Sequence, residues 1–146
     1  MNYILFDDAL SEHLLPLTYT RPTCQLLVGI WTIREKWEAR LERSVSFMPF
    51  RSYLTDKYPV RFSSDNVYIN GALLPDQMLM DAISGLGMEH ALLAGNRIVA
   101  MRSSQQLQRF DKEGLHLRAV KVHDYAGELD WISYPEDIFR KNGRQI

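Results

Sequence analysis

Residues 14–37 read LLPLTYTRPTCQLLVGIWTIREKW, and they follow a short apolar run, Asn2–Phe6, with the sequence NYILF. The longer stretch sets proline, threonine, arginine and glycine between a predicted buried strand and a predicted helix. Connections in α/β units are usually only a few residues long. More elaborate loops tend to hold ligands, because a rigid scaffold positions them. The stretch therefore predicts an α/β unit whose first loop is a binding loop.

The second half of this stretch predicts an amphipathic helix. Arg34 and Glu38 are four residues apart, so their side chains can pair across one helical turn. Gly29 is either an ordinary helix-entry glycine or a point of close backbone approach or positive φ, and both interpretations stay open. Four apolar residues recur at helical spacing and make one stripe: Ile30, Ile33, Trp37 and Leu41.

The remainder of the chain alternates predicted strands and helices, with one hairpin. Leu79, Ile83 and Leu86 form the apolar face of a second helix that follows the strand end at Asn70-Gly71. The predicted elements are strands over 2–6, 45–50, 67–69 and 115–122, a helix beginning near Pro75 or Asp76, and a hairpin around Gly95-Asn96.

This order of elements predicts the fold class. Strand–loop–helix alternation followed by one hairpin is typical of an α/β domain with a mostly parallel sheet and one antiparallel hairpin. We expect Asn2–Phe6 to lie inside that sheet, in a three-layer, Rossmann-like arrangement. With 146 residues, the chain is expected to form a single domain over 1–146.

Composition narrows the class of partner. A net charge of −1 lacks the excess of positive charge that is typical of nucleic-acid-binding domains. No apolar run is long enough to span a membrane. The first 30 residues lack a secretory signal, and the single cysteine, Cys24, cannot form an internal disulfide. These features predict a cytoplasmic protein. The four histidines show no H-x-x-x-H spacing, so the sequence alone suggests no zinc site.

The polar candidates cluster near the end of the first strand. Ligands of open α/β sheets bind beyond the carboxyl ends of strands, which is where Asp7 and Asp8 follow Phe6. Those carboxylates can meet a metal or a ribose hydroxyl, or they can simply form a solvated turn. Arg21 suits a phosphate through its bidentate fork, or it pairs with Asp7 or Asp8. Thr18 and Thr20 can donate hydroxyls to phosphate or stabilise turns.

Two motifs carry a family resemblance: P-L-T-x-x-x-P at 16–22 and V-G-x-x-x-I at 28–33. They resemble the opening of sugar-phosphate nucleotidyltransferases. The longer sequence pattern is similar to that of a branch of sugar nucleotidyltransferase domains. It comprises LLPLTYTRP…VGIWTIREKW, followed by YINGALLPD and YPEDIF. In that branch the domain precedes a left-handed β-helix acyltransferase domain, in proteins similar to the bifunctional N-acetylglucosamine-1-phosphate uridyltransferase.

The resemblance implies an activity and a site. The activity would join a nucleoside triphosphate to a sugar 1-phosphate with release of pyrophosphate, with Mg²⁺ as cofactor and an attached acyltransferase domain as partner. It implies Arg21 as a catalytic residue and leaves the metal ligands unassigned. The substrate-binding residues that it implies are Asp7, Asp8, Pro16, Leu17, Thr18, Thr20, Asn70 and Gly71.

Departures from the family pattern leave a second hypothesis open. Residues 7–15 contain no glycine where the family has a Gly-rich loop, and His13 aligns near the arginine that ends that loop. Thr23 replaces the family lysine, and Ala72 replaces an aspartate that holds Mg²⁺. The domain is therefore either an active or degenerate transferase, or a non-catalytic nucleotide-binding, sugar-nucleotide-binding or structural domain. It is short for the family, which is compatible with a fragment of a longer chain.

Overall fold

The computed structural model describes residues 2–6, 27–28, 31–42, 45–48, 63–94, 97–104, 121–125, 127, 129 and 131. Within these ranges the chain forms two helices and eight strands. The strands are β1 (Asn2–Phe6), β2 (Leu27–Val28), β3 (Trp31–Thr32), β4 (Ser46–Met48), β5 (Asn66–Asn70), β6 (His90–Ala94), β7 (Arg97–Ser103) and β8 (Lys121–Asp124). The helices are α1 (Ile33–Leu41) and α2 (Gln77–Ser84).

Six strands form one mixed sheet in the order β4-β1-β5-β7-β6-β8. β1 is parallel to both β4 and β5, and β6 is parallel to β8. β7 pairs antiparallel with β5 and β6, so it alone runs against the other five strands. The sequence prediction of an α/β sheet with β1 inside it and an antiparallel hairpin at β6–β7 is confirmed.

Both described helices pack on one face of this sheet. Alternate residues of a strand face opposite sides, and Leu5, Val67 and Ile69 face the helices. We call the buried residues on this face the helix-side cluster. It includes Leu5, Ile33, Trp37, Val67, Ile69, Leu73, Leu79, Ile83, Leu86, Leu92 and Val99. The predicted apolar faces are confirmed for Ile33, Trp37 and Leu41 and for Leu79 and Ile83, whereas Ile30 and Gly29 lie outside the described residues and Leu86 follows the end of α2. Burial of each large side chain contributes about 1.5–3 kcal/mol.

The other face of the sheet is also buried. The second-face cluster consists of Ile4, Phe6, Tyr68, Ala91, Leu93, Ile98 and Met101, each no more than 5 % exposed. A strand buried on both faces reads as a continuous apolar run rather than an alternating one. This explains why β1, with the sequence NYILF, lacks alternation.

A capping box sets the start of α1. The Thr32 hydroxyl accepts a hydrogen bond from the Glu35 backbone N–H at 3.1 Å, and the Glu35 carboxylate accepts one from the Thr32 N–H at 3.0 Å. These bonds satisfy two of the free N–H groups at the helix end. Thr32 also ends the short antiparallel pair β2–β3, which the sequence analysis did not predict. The predicted Arg34–Glu38 ion pair is present, with Nε and Oε1 3.1 Å apart.

A charged clamp joins the loop before β5 to the end of β7. Arg102 donates from Nε to Oδ1 of Asp65 at 2.9 Å and from the terminal nitrogen Nη2 to Oδ2 at 2.8 Å. The same guanidinium donates to the Leu86 carbonyl at 3.0 Å. Asp65 in turn accepts the Asn2 N–H through its backbone carbonyl at 2.9 Å. The clamp thus ties β1, β5, β7 and the α2–β6 connection together.

We expect Arg102→Met to lower the free energy of unfolding at pH 7 by about 1.5–3 kcal/mol, because hydrogen bonds to a charged group are lost. Hydrogen bonds from Arg102, together with its charge, lower the pKa of the Asp65 carboxyl from 3.8, against the opposing effect of burial. The folded pKa is below the unfolded one. The stabilisation is therefore present above about pH 4 and lost as the pH falls through the folded pKa.

Urea unfolding measured at pH 7 and at the lowest pH at which the protein still folds tests this prediction. The cost of Arg102→Met should be smaller at the low pH. Arg40→Met, on the exposed surface of α1, is the matched control and should change stability by less than about 0.5 kcal/mol. Equal costs for the two substitutions would contradict the clamp.

Candidate functional site

Five strands end at the same edge of the sheet, which we call the carboxyl edge. Phe6 pairs with Asn70 and with Met48, so β1, β4 and β5 end side by side. Ala94 pairs with Arg97 and Leu93 with Asp124, which brings the ends of β6 and β8 and the start of β7 to this edge. In open α/β sheets this edge is where ligands bind.

Asn70 is the most buried polar residue at this edge, with no exposed surface. Its Nδ2 donates to the Ile98 carbonyl at 3.0 Å, which holds the end of β5 against β7. Its Oδ1 accepts the Ala72 backbone N–H at 3.0 Å and closes a turn of the kind that asparagine favours. Both ends of the amide are therefore engaged within the protein, and the side chain fixes the backbone that follows it.

The loop over 71–76, which joins β5 to α2, is held at each end and in the middle. The Gly71 N–H donates to the Phe6 carbonyl at 2.8 Å, which links it to β1. The Leu73 carbonyl accepts the indole N–H of Trp37 at 2.8 Å. Asp76 caps α2 by accepting the Leu79 N–H at 2.7 Å. The sequence prediction of a strand-to-helix turn with a helix beginning near Asp76 is confirmed.

Arg97 supplies a cation at the carboxyl edge. Its Cζ lies 4.0 Å from the ring centroid of Trp131, and Trp131 forms an isolated antiparallel bridge with Leu73. The guanidinium is thus stacked beside the loop over 71–76. A guanidinium held in this way is suited to a phosphate or carboxylate. Arg97 was not among the predicted site residues, although its place directly after the predicted Gly95-Asn96 turn puts it at this edge once the direction of the hairpin is known.

Tyr125 follows β8 at the same edge. Its backbone N–H donates to the Leu93 carbonyl at 2.7 Å, and its ring packs against the helix-side cluster. Its hydroxyl is buried and has no hydrogen-bond partner within the part of the chain that the structure describes. Burial raises the pKa of this hydroxyl, and the negative charge of Asp76 adds to the effect. Among the described residues, the hydroxyl is therefore a neutral donor without an acceptor.

Of the predicted site residues, the structure describes Asn70 and Gly71. It brings both to the carboxyl edge, directly beside the end of β1. The other predicted residues lie outside the described ranges: Asp7, Asp8, Pro16, Leu17, Thr18, Thr20 and Arg21. Their roles stay predictions.

At the position where the family resemblance expects a Mg²⁺ ligand, the described residues do not supply one. Ala72 stands where the family resemblance expects a carboxylate ligand, and it is 4 % exposed. The neighbouring Asn70 oxygen already accepts a backbone N–H. Across the described ranges, no group of three or more His, Cys, Asp or Glu side chains is arranged to hold a metal ion. Mg²⁺ prefers carboxylate and phosphate oxygens, which Ala72 and Asn70 do not offer.

The comparison with known families identifies the family of the chain. The model of the sugar nucleotidyl transferase family matches residues 3–146, which is nearly the whole chain. The chain belongs to this family. No curated protein is similar enough in sequence to count as a match. Of the helices in the described ranges, neither is long and apolar enough to cross a membrane.

Proposed function

We propose that the chain transfers a nucleotidyl group from a nucleoside triphosphate to a sugar 1-phosphate and releases pyrophosphate. Family membership over residues 3–146 carries this proposal. The carboxyl edge supports it, because a loop held by hydrogen bonds, a stacked guanidinium and a hydroxyl without a partner among the described residues share one end of the sheet. A preformed surface of this kind suits a reaction whose catalysis is mostly positioning and charge stabilisation.

In this reaction an oxygen of the sugar phosphate attacks the α-phosphorus of the triphosphate. The bond from that phosphorus to the α–β bridging oxygen breaks, and pyrophosphate leaves with the bonding electrons. Negative charge develops on the phosphate oxygens. We assign its stabilisation to Arg21 in the first loop and to Arg97, and we assign sugar hydroxyl binding to Tyr125. Asp7, Asp8, Thr18, Thr20 and the Pro16-Leu17 turn would complete the substrate site beside Asn70-Gly71.

Mg²⁺ belongs to the proposal only through the resemblance. When bound, it would neutralise phosphate charge during transfer. Ala72 and Asn70 do not fit it, and we propose Asp7 and Asp8, which follow β1 directly in sequence, as its ligands. We also propose the three-layer, Rossmann-like arrangement of the family, which the complete burial of Ile4 and Phe6 on the second face supports. The attached β-helix acyltransferase domain and a cytoplasmic location are further proposals from the sequence.

A second function is favoured by one specific observation. Ala72 replaces the family carboxylate, and the neighbouring Asn70 side chain is used entirely within the fold. A domain that binds a nucleotide or a sugar nucleotide without turnover, or that only packs against an acyltransferase domain, would tolerate this loss.

A pyrophosphate-release assay over the common nucleoside triphosphates and hexose 1-phosphates tests the proposal. It is run on this chain and on any longer natural form, and we expect turnover with at least one pair of substrates. Absence of turnover in both forms would overturn the transferase activity. Thermal-shift titration then separates the alternatives, since a ligand at about a hundred times its Kd stabilises the fold by about 2.7 kcal/mol. No response to any nucleotide or sugar nucleotide would leave only the structural role.

A further inference from the structure

Two histidines that are distant in sequence meet across parallel strands. His90 is the first residue of β6, and His123 lies in β8, where it pairs with Leu92. Nε2 of His123 and Nδ1 of His90 are 3.3 Å apart, and the ring centroids are 5.2 Å apart with an interplanar angle of 46°. Both residues are partly buried. The pair lies at the start of β6, whereas the candidate site lies where β6 ends.

The spacing allows a hydrogen bond, at the long end for an N–H donor, whose usual heavy-atom distances are about 2.7–3.2 Å. It also matches coordination of one metal ion by two imidazoles. With metal–nitrogen distances of about 2.0–2.1 Å and a tetrahedral angle, the two nitrogens lie about 3.3 Å apart and the ring centroids about 5.2 Å apart. A hydrogen bond in line with both rings would place the centroids about 5.6 Å apart, so the observed 5.2 Å corresponds to a bent one. Both distances also agree with the metal geometry.

The surroundings fix one of the two rings. A side chain at Gly87 would place its Cβ 3.2 Å from Cε1 and Nδ1 of His90, so the glycine leaves room for the ring in its present position. His123 shares a strand with Val122, which packs on the second face, and it therefore faces the same side as the helices. Strand pairing between β6 and β8 holds the two Cα positions. Strand pairing and the space at Gly87 thus allow the two nitrogens to meet without an ion.

We propose that His90 and His123 bind a divalent transition-metal ion, with Zn²⁺ as the physiological candidate. Neutral imidazole is a ligand that Zn²⁺, Ni²⁺, Cu²⁺ and Co²⁺ share. Coordination uses His90 Nδ1 and His123 Nε2, so each ring carries its proton on the other nitrogen. Within the described ranges no third His, Cys, Asp or Glu side chain joins the pair, and water completes the coordination. The ion links the edge strand β8 to β6 and is independent of the transferase proposal.

Isothermal titration with ZnCl₂ and the visible absorption of added Co²⁺ test the site in a chain without a polyhistidine tag. We expect one saturable site. His90→Gln and His123→Gln should each weaken binding at least about tenfold, since each removes one of two protein ligands. His116→Gln and Cys24→Ser are the matched controls, and both should bind like the wild type. Each variant is first shown to melt cooperatively without metal.

Nitrogen-15 NMR of the wild-type imidazoles gives a result that does not depend on the folding of any variant. Zn²⁺ should shift one nitrogen of each of two histidine rings. Absence of saturable binding up to about 1 mM free Zn²⁺ would overturn the proposal. Binding that survives in both His90→Gln and His123→Gln, or that disappears in Cys24→Ser or His116→Gln, would overturn it as well.

Discussion

Trp37→Ala is expected to lower the free energy of unfolding by about 3–5 kcal/mol, and Trp37→Phe by about 2–4 kcal/mol. Trp37 has no exposed surface and lies in the helix-side cluster between α1 and the sheet. Alanine leaves a cavity there. Phenylalanine fills most of the volume but removes the indole N–H, so the buried Leu73 carbonyl loses its 2.8 Å donor. Since whole domains are stable by only about 5–15 kcal/mol, either loss is large.

Urea unfolding measures these costs, with Arg40→Ala on the exposed side of the same helix as control. That control should stay within about 0.5 kcal/mol of the wild type. Hydrogen exchange gives a second readout, because Trp37 supports the loop over 71–76. In Trp37→Phe, protection of the Ala72 and Leu73 amides should fall more than protection of the β6–β7 amides. A cost below about 1 kcal/mol for Trp37→Phe, or uniform loss of protection, would contradict the role assigned to the indole.

Local signals in the sequence predicted β1, β4, β5, both helices and the β6–β7 hairpin. The strand predicted over 115–122 lies outside the described residues except for 121 and 122, which belong to β8. The apolar run 2–6 became β1 because it is buried on both faces, and Asp76 became the cap of α2 because a carboxylate there accepts a helix N–H. The capping box of Thr32 and Glu35 is also visible in the sequence, as a T-x-x-E pattern at residues 32–35, although it was not among the predicted features. Each of these features depends on residues close together in the chain.

Features that depend on strand order were not predictable in this way. β5 and β6 are parallel and joined by α2, yet β7 lies between them. That insertion places Arg97 at the carboxyl edge and aligns Asn70 with the Ile98 carbonyl. His90 and His123 are 33 residues apart in the sequence, and they likewise meet only because β6 pairs with β8. Non-local pairing is decided by the packing of the whole sheet, and local sequence patterns do not encode it.

Arg21→Ala is expected to lower kcat at least about a hundredfold in a chain that still folds, and Arg97→Ala to do the same or somewhat less. A hundredfold loss corresponds to about 2.7 kcal/mol of transition-state stabilisation. Arg21 is the cation of the first loop, and Arg97 is held against Trp131 beside the loop over 71–76. If both meet the phosphates, the loss should appear in kcat rather than only in KM, because the charge that they stabilise develops during transfer.

The conservative variant Arg97→Lys separates charge from geometry. Lysine keeps the positive charge but loses the planar fork and the stacking on Trp131, so activity should recover only in part if bidentate phosphate binding is the role. Arg97→Ala also loses a cation–π contact of about 0.5–2 kcal/mol, so thermal melts must show that each variant is folded at the assay temperature. Steady-state pyrophosphate release gives kcat and KM separately for each variant. If the wild type turns over and both alanine variants stay within about threefold of it, neither arginine stabilises the transition state, and the catalytic cations must lie elsewhere on the carboxyl edge.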